Sequence, residues 1–156
     1  MAKTIINNYD EFAALEGKTL DYSGYMKITQ EQINKFADAT MDHQWIHIDE
    51  ERAKKESQFG STIAHGYLTL SILPPLWNEI IEANNVKMLV NYGIDNFKFN
   101  EAVRVNDEVR LKVKVLKVQN LRGICKAEMR ATLEIKDRKK PAYIGTIIFL
   151  YHFKQL

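Results

Sequence analysis

The sequence of 156 residues contains a single cysteine, Cys125. One cysteine cannot form a disulfide within the chain, so a small secreted scaffold held together by disulfides is excluded. One thiol also cannot provide the several thiolates of a cysteine-based zinc site. Because Cys125 lies among alternating apolar residues, we expect it to be a buried small hydrophobic residue.

The sequence also lacks long apolar runs, a strong net charge of one sign and glycine-rich phosphate loops. No run of 18 apolar residues occurs, so no membrane-spanning helix is predicted. Residues 1–8 have no apolar stretch like that of a secretory signal peptide, and a cytoplasmic protein is expected. The net charge of +2 is too small to indicate a nucleic-acid-binding protein.

The composition is that of an ordinary globular protein, with 46% hydrophobic and 27% charged residues. A chain of about 150 residues has a prior of one domain, so we predict a single domain over residues 1–156. A domain of this size buries roughly 70% of its unfolded surface, which is enough for a substantial core.

Helical signals are concentrated in the first half of the chain. Thr29 followed by Gln32 resembles a capping box, and Asp49 is suited to cap a second helix. A third segment beginning near Gly66 is apolar on almost every side, which predicts a buried helix. The predicted helices cover about residues 29–40, 50–57 and 64–83, the last kinked or broken at Pro74-Pro75, resumed at Leu76 and stopped by Asn84-Asn85.

Alternation of apolar and polar residues dominates the second half. This period of two predicts strands with one buried and one solvated face, and short turns between them favour an antiparallel sheet. The predicted fold class is therefore α+β, with a long antiparallel sheet wrapped around a buried helix. Strands are predicted at about residues 22–28, 87–99 with a bend at Gly93, 109–115, 125–135 and, more centrally, 142–153, with turns at Gln119-Asn120 and Asp137–Pro141.

Three of the four histidines and two aspartates, Asp42 and Asp49, lie between positions 42 and 65. Metal binding is one interpretation, because His43 and His47 are four residues apart. The glutamate of the His-Glu-x-x-His zinc motif is absent, since Gln44 follows His43, and this disfavours a metal site. His43 is expected on the surface and Asp49 at a helix N-cap.

Acid–base chemistry is the second interpretation of the same residues. Asp42 and His47 flank the apolar Trp45-Ile46 pair, so both polar side chains can face one cavity and hold a water molecule between them. Desolvation and mutual interaction would tune both pKa values. Gly66, at the expected start of the buried helix, would let a carbonyl oxygen approach the unpaired backbone N–H groups there.

Two segments resemble the landmarks of a known family. Residues 36–49 read FADATMDHQWIHID and residues 59–66 read FGSTIAHG. They are similar to the hydratase motif and the His-Gly helix start of the MaoC-like dehydratases, the (R)-specific enoyl-CoA hydratases. The resemblance implies a hot-dog fold and a homodimer that needs no cofactor. It further implies reversible syn hydration of a trans-2-enoyl thioester of CoA or acyl carrier protein, with Asp42 and His47 as the catalytic dyad and the Gly66 N–H as the oxyanion donor.

Two positions depart from the usual motif of that family. Gln44 stands where Asn is common and Trp45 where Pro is common, a pair that resembles the nodulation-protein-N-like branch. Gln keeps the amide donors and acceptor with a longer reach, whereas Trp adds bulk near the acyl pocket. The predicted substrate-binding residues are Gln44, Trp45, Ser61 and His65, and His65 is also expected to anchor the helix start.

Two other functions stay open on the same fold. One is hydrolysis of the thioester, although thioesterases of this fold generally lack the Asp and His pair followed by His-Gly. The other is a non-catalytic subunit that binds acyl-CoA. Residues 98–140 hold 13 Lys and Arg against 6 Asp and Glu. Most of these are expected on outward faces of strands, and none is assigned to the CoA phosphates.

Overall fold

The computed structural model describes residues 2–154. Two short elements precede the predicted helices, and the long strands follow them. In chain order the elements are β1 (Thr4–Ile6), α1 (Tyr9–Ala13), β2 (Met26–Lys27), α2 (Gln30–Thr40), α3 (Trp45–Ile48), α4 (Glu50–Glu56), α5 (Gly66–Ser71), α6 (Leu73–Ile80), β3 (Ile81–Ala83), β4 (Val86–Phe99), β5 (Glu108–Leu121), β6 (Ile124–Ile135) and β7 (Tyr143–Phe153).

The main sheet has five antiparallel strands in the order β2-β5-β6-β7-β4. Its inner face packs on α5 and α6, so the prediction of an antiparallel sheet wrapped around a buried helix is confirmed. Trp77 of α6 donates its indole N–H to the Tyr151 hydroxyl of β7 at 2.6 Å, which satisfies both polar groups in the core. Within residues 2–154, no helix is long and apolar enough to cross a membrane.

The predicted caps of the early helices are confirmed. The Thr29 hydroxyl accepts from the Gln32 N–H at 3.2 Å at the start of α2, and the Asp49 carboxylate accepts from the Arg52 N–H at 2.9 Å at the start of α4. Helix α2 ends at Thr40, and the C-cap residue Met41 has a left-handed φ of 63°. This reverses the chain direction immediately before Asp42.

The buried helix is interrupted, but not where the sequence predicts. The interruption lies at Ile72, and Pro74-Pro75 occupy the first turn of α6 rather than the gap before it. Proline is tolerated in a first turn, because the N–H that it lacks has no partner inside the helix there. Helix α6 therefore begins at Leu73 instead of Leu76 and ends at Ile80, where the predicted helical stretch gives way to β3.

The structure also corrects the length of one predicted strand and the position of one predicted turn. Of the strand predicted over residues 22–28, only Met26–Lys27 forms ladder pairs. The hairpin between β5 and β6 turns at Arg122-Gly123 instead of Gln119-Asn120, since both residues have positive φ, 53° and 93°, as tight hairpins require. The Asn120 side chain accepts from the Gly123 N–H at 2.8 Å and stabilises this turn. The parallel pair of β1 and β3 was not predicted.

Candidate active site

The segment between α2 and α4 shapes one wall of the site. After the left-handed Met41, the chain makes a short turn in which the Asp42 carboxylate accepts from the Gln44 N–H at 3.4 Å. The single-turn helix α3 follows and carries His47. One carboxylate oxygen of Asp42 and one ring nitrogen each of His47 and His65 all lie within 4.8 Å of one another. The structure therefore brings together the two residues that the sequence predicts as a dyad.

His47 is held in one orientation and is 6% exposed. Its Nδ1 lies 2.7 Å from the Ile63 carbonyl oxygen, which only accepts hydrogen bonds, so Nδ1 carries the proton and Nε2 keeps a lone pair. Burial lowers the pKa of His47, since desolvation disfavours the charged ring. The residue is therefore a neutral base with a defined tautomer at neutral pH.

Asp42 differs from His47 in its exposure to solvent, because 56% of its side chain is exposed. The His47 ring, in contrast, is enclosed, and burial favours its neutral form. A carboxylate next to a neutral imidazole offers two adjacent acceptors for the protons of one water molecule.

A cavity of about 280 Å³ lies beside His47. Gly66, the first residue of α5, lines it, and its N–H has no partner inside the helix. A Cβ at this position would lie 3.2 Å from the Cε1 and Cζ atoms of Phe99, so the ring covers the glycine closely. The remaining lining residues are Ile63, Ala64, Thr69, Asn100, Glu101, Ala102 and Val103.

A metal ion fits this group of side chains poorly. The His47 and His65 rings stack with centroids 3.9 Å apart and an angle of 24° between their planes. Imidazole lone pairs lie in the ring plane, so two nearly parallel rings cannot direct both lone pairs to one ion at about 2.0–2.1 Å. The arrangement favours proton transfer over metal binding.

A protein-family model described as "MaoC like domain" matches residues 11–136 of this chain. The chain belongs to the MaoC-like dehydratase family. The resemblance found from the two motifs is thereby confirmed.

Relatives of this MaoC-like protein cover most of its length. It is 40% identical over 142 residues to 3-hydroxyacyl-thioester dehydratase Z of Mycobacterium tuberculosis (strain ATCC 25618 / H37Rv), covering 90% of this chain and 93% of that protein. It is 38% identical over 146 residues to nodulation protein N of Rhizobium meliloti (strain 1021), covering 92% and 90%. The crystal structure of a MaoC-like dehydratase from Rhodospirillum rubrum superposes with a TM-score of 0.72 at 20% identity over 90% of this chain and 94% of that one.

Four residues were predicted to contact substrate, and none of them lines the cavity. Gln44 is exposed, and Trp45 packs its ring under the Arg52 guanidinium at 4.2 Å. The Ser61 hydroxyl donates to the Thr62 carbonyl at 3.0 Å. His65 is enclosed instead of facing the cavity. Their roles in substrate binding stay predictions for this MaoC-like dehydratase.

The surface histidine of the same segment lies where the sequence predicts. His43 is exposed, and its Nε2 lies 2.9 Å from a carboxylate oxygen of Asp38. It neither lines the cavity nor belongs to the group of Asp42, His47 and His65, so it offers a matched control for His47.

Sequence reasoning missed two contributors to the site. Residues 99–103, which comprise the last residue of β4 and the four that follow it, line the cavity. Gln30 of α2 donates its side-chain N–H to the His47 carbonyl at 2.7 Å and accepts from the Thr62 hydroxyl at 2.5 Å, which fixes α3 against the following loop. Neither contributor can be predicted from the sequence, since both depend on contacts between segments that are far apart in the chain.

Proposed function

We propose that this MaoC-like dehydratase catalyses the reversible hydration of a trans-2-enoyl thioester, carried on CoA or acyl carrier protein, to the (R)-3-hydroxyacyl thioester. The observation that carries the proposal is the approach of Asp42 to His47, which lines a cavity together with Gly66. The name of the 40% identical relative, 3-hydroxyacyl-thioester dehydratase Z, supports this reaction class.

The dyad supplies the proton chemistry of the proposal. A water molecule bound between the Asp42 carboxylate and the His47 Nε2 gives up one proton as its oxygen attacks C3 of the enoyl group. The dyad then returns a proton to C2, so water is added overall and no cofactor is consumed. Both transfers come from one side of the substrate, which accounts for syn addition.

Gly66 is proposed to stabilise the charge that develops on the thioester oxygen. Attack at C3 moves an electron pair towards the carbonyl, and a hydrogen bond donor aimed at that oxygen lowers the barrier. The N–H of Gly66 has no partner inside α5, so it can donate to that oxygen. Phe99, packed on Gly66, shields this position from one side.

The decisive experiment follows the loss of enoyl absorbance of crotonyl-CoA and longer enoyl-CoA substrates. We expect turnover by the wild type and a loss of about 10²-fold or more in Asp42→Asn and His47→Ala, the scale of acid–base catalysis. His43→Ala is the matched control and should keep the wild-type rate, because His43 is exposed and pairs with Asp38. Unchanged turnover in Asp42→Asn or His47→Ala would refute the dyad.

The same assay separates the alternative functions. Hydration consumes the conjugated enoyl group without releasing a thiol, whereas a thioesterase releases free CoA thiol. A non-catalytic binding subunit does neither, although it still binds the acyl-CoA. Measuring thiol release in parallel with enoyl absorbance assigns the reaction.

The pH dependence follows from the lowered pKa of His47, for which burial is the main cause. Because the ordinary pKa is about 6.5, the unfolded chain binds the proton more readily than the folded chain just below that pH. The contribution of His47 to the free energy of unfolding is therefore fully present above pH 6.5. It decreases as the pH falls below that value. We expect the acid limb of kcat/KM to have its midpoint below pH 6.5, and a midpoint above it would contradict a neutral His47.

We also propose that residues 1–156 form one domain and that two copies pair through β4 into a homodimer. Strand β4 has β7 on one side, and the structure places no strand of residues 2–154 on its other side. It exposes Met88, Val90, Tyr92 and Ile94. Such an apolar edge is suited to antiparallel pairing with a second copy. Sedimentation equilibrium should give twice the chain mass of 18.1 kDa.

A further inference from the structure

His65 is enclosed among the residues of the proposed dyad instead of facing the cavity. It is 3% exposed and directly precedes Gly66 at the start of α5. One face of its ring stacks on His47, and its ring lies 4.9 Å from that of Phe36, which comes from α2. His65 therefore contacts Asp42 and His47 and does not line the cavity.

The hydrogen bonding of His65 fixes its tautomer. Its Nε2 lies 2.9 Å from the main-chain oxygen of Asp42, and a carbonyl oxygen only accepts, so Nε2 carries the proton. Nδ1 is then a buried acceptor, and it has no hydrogen-bond partner within residues 2–154. An unpaired buried acceptor costs free energy, which a purely structural aromatic residue would not incur.

Because it contacts both members of the pair, His65 connects them. It holds the main chain of Asp42 by a hydrogen bond, supports the His47 ring by stacking, and is itself fixed at the N-cap of α5. The Asp42 carboxylate lies 4.0 Å from the same Nε2, so the proton on His65 also faces the charged group. One side chain thus contacts both a residue on a loop, Asp42, and an imidazole on a one-turn helix, His47.

We propose that His65 is a positioning residue of the dyad, acting through its Nε2–H on Asp42 and its ring on His47. This inference rests on the proposed hydration and replaces the role in substrate binding that the sequence predicts for His65. Misplacement of a reacting group by about 1 Å can cost about 10²-fold in rate, so loss of this contact should lower kcat and leave KM nearly unchanged.

Two substitutions separate the hydrogen bond from the stacking. His65→Phe keeps an aromatic ring but removes the donor, whereas His65→Gln keeps an amide N–H that can reach the Asp42 carbonyl. For the enoyl-CoA that the wild type turns over, we expect kcat to fall about tenfold or more in His65→Phe with KM within about twofold. His65→Gln should recover most of that loss.

Three outcomes would overturn the proposal. A higher KM at unchanged kcat would make His65 a substrate-binding residue, and equal losses in both variants would make its hydrogen bond irrelevant. Wild-type kinetics in both variants would remove any role in the reaction.

A measurement on the wild type does not depend on whether the variants fold. Nitrogen-15 NMR of the histidine-labelled protein should show His65 protonated on Nε2 and bare on Nδ1, and His47 with the opposite tautomer. A proton on Nδ1 of His65 would overturn the assignment. The result is independent of activity, so a wild type without hydratase activity would refute the proposed function while this test of the His65 contact still gives an answer.

Discussion

Strands β4 and β5 have the same length, 14 residues each, but opposite environments. In β5, Val109, Leu111, Val113 and Val115 are buried and alternate with solvated residues. In β4, nearly every position is exposed or half-buried on both faces. Strand β5 lies between two neighbours, whereas β4 pairs with β7 alone among the strands of residues 2–154. The difference shows that burial here follows from the position in the sheet and not from how apolar a strand is.

The two strands also differ in regularity. The ladder between β5 and β6 contains one register shift, whereas that between β4 and β7 contains shifts at three places, one of them at Gly93. Bulges bend a strand and redirect its side chains. The irregular strand ends at Phe99, which covers Gly66 in the candidate site. The regular strands thus supply the core, and the irregular edge strand shapes the cavity.

The largest expected effect tests the difference in burial directly. Leu111→Ala in β5 should lower the free energy of unfolding by about 2–5 kcal/mol, because it leaves a cavity in a closed core. Leu89→Ala in β4 is the matched control and should cost about 0.5 kcal/mol in the dissociated chain, where Leu89 is exposed. Urea unfolding at low protein concentration measures both, and equal losses would refute the contrast.

A second prediction concerns the contact between β7 and the bulged part of β4. A Cβ at Gly145 would lie 2.9 Å from the Cα of Phe97, so Gly145→Ala should cost about 1–3 kcal/mol through overpacking. At Gly93 the nearest atom to an added Cβ is the Cδ1 of Ile148 at 3.5 Å, an ordinary contact. Thermal unfolding should therefore show a much smaller change for Gly93→Ala, and a reversed order would contradict the packing described.

The third prediction tests the unpaired edge. Tyr92→Lys adds a charge to the exposed face of β4, and in a symmetric pair of β4 strands the two charges would face the interface. We expect the dissociation constant of the homodimer to rise tenfold or more, about 1.4 kcal/mol, with little change in the stability of the dissociated chain. Lys112→Ala, on β5, should leave the dissociation constant unchanged, and an unaltered dimer in Tyr92→Lys would refute pairing through β4.

The smallest effect is chemical and needs no loss of stability. Burial raises the pKa of the Cys125 thiol in β6 to about 12, so it should resist a thiol reagent at neutral pH in the folded protein. A cysteine introduced by Val90→Cys in β4 should react in the dissociated chain and become protected as the protein concentration rises. Rapid labelling of Cys125 in the native protein would contradict its burial.

Local features of the chain were predicted well because their causes are local. The caps at Thr29 and Asp49 depend on residues within one helical turn, and both are present. The alternation in β5 and β6 depends on one buried face, and it is confirmed in both strands. The approach of Asp42 to His47 also depends on a short turn, since the two residues are five positions apart in the chain.

Predictions failed where contacts distant in the sequence decide the outcome. The segment over residues 22–28 has the composition of a strand, but only Met26–Lys27 meets β5 in ladder register. Nothing in the residues Ile81-Glu82-Ala83 distinguishes a strand from the helix before them until β1 offers a partner. The place of His65 between Phe36 and His47 depends on three separate segments meeting.

By itself, the sequence determined the fold class, the family and the pair of residues with acid–base chemistry. Periodicity and motifs depend on residues that are close together in the chain, so they can be recognised without the structure. Only the tertiary structure decided which nitrogen of His47 is free, which residues wall the cavity and that β4 is an edge. These properties arise from burial and from contacts between segments far apart in the chain, which a single sequence does not record.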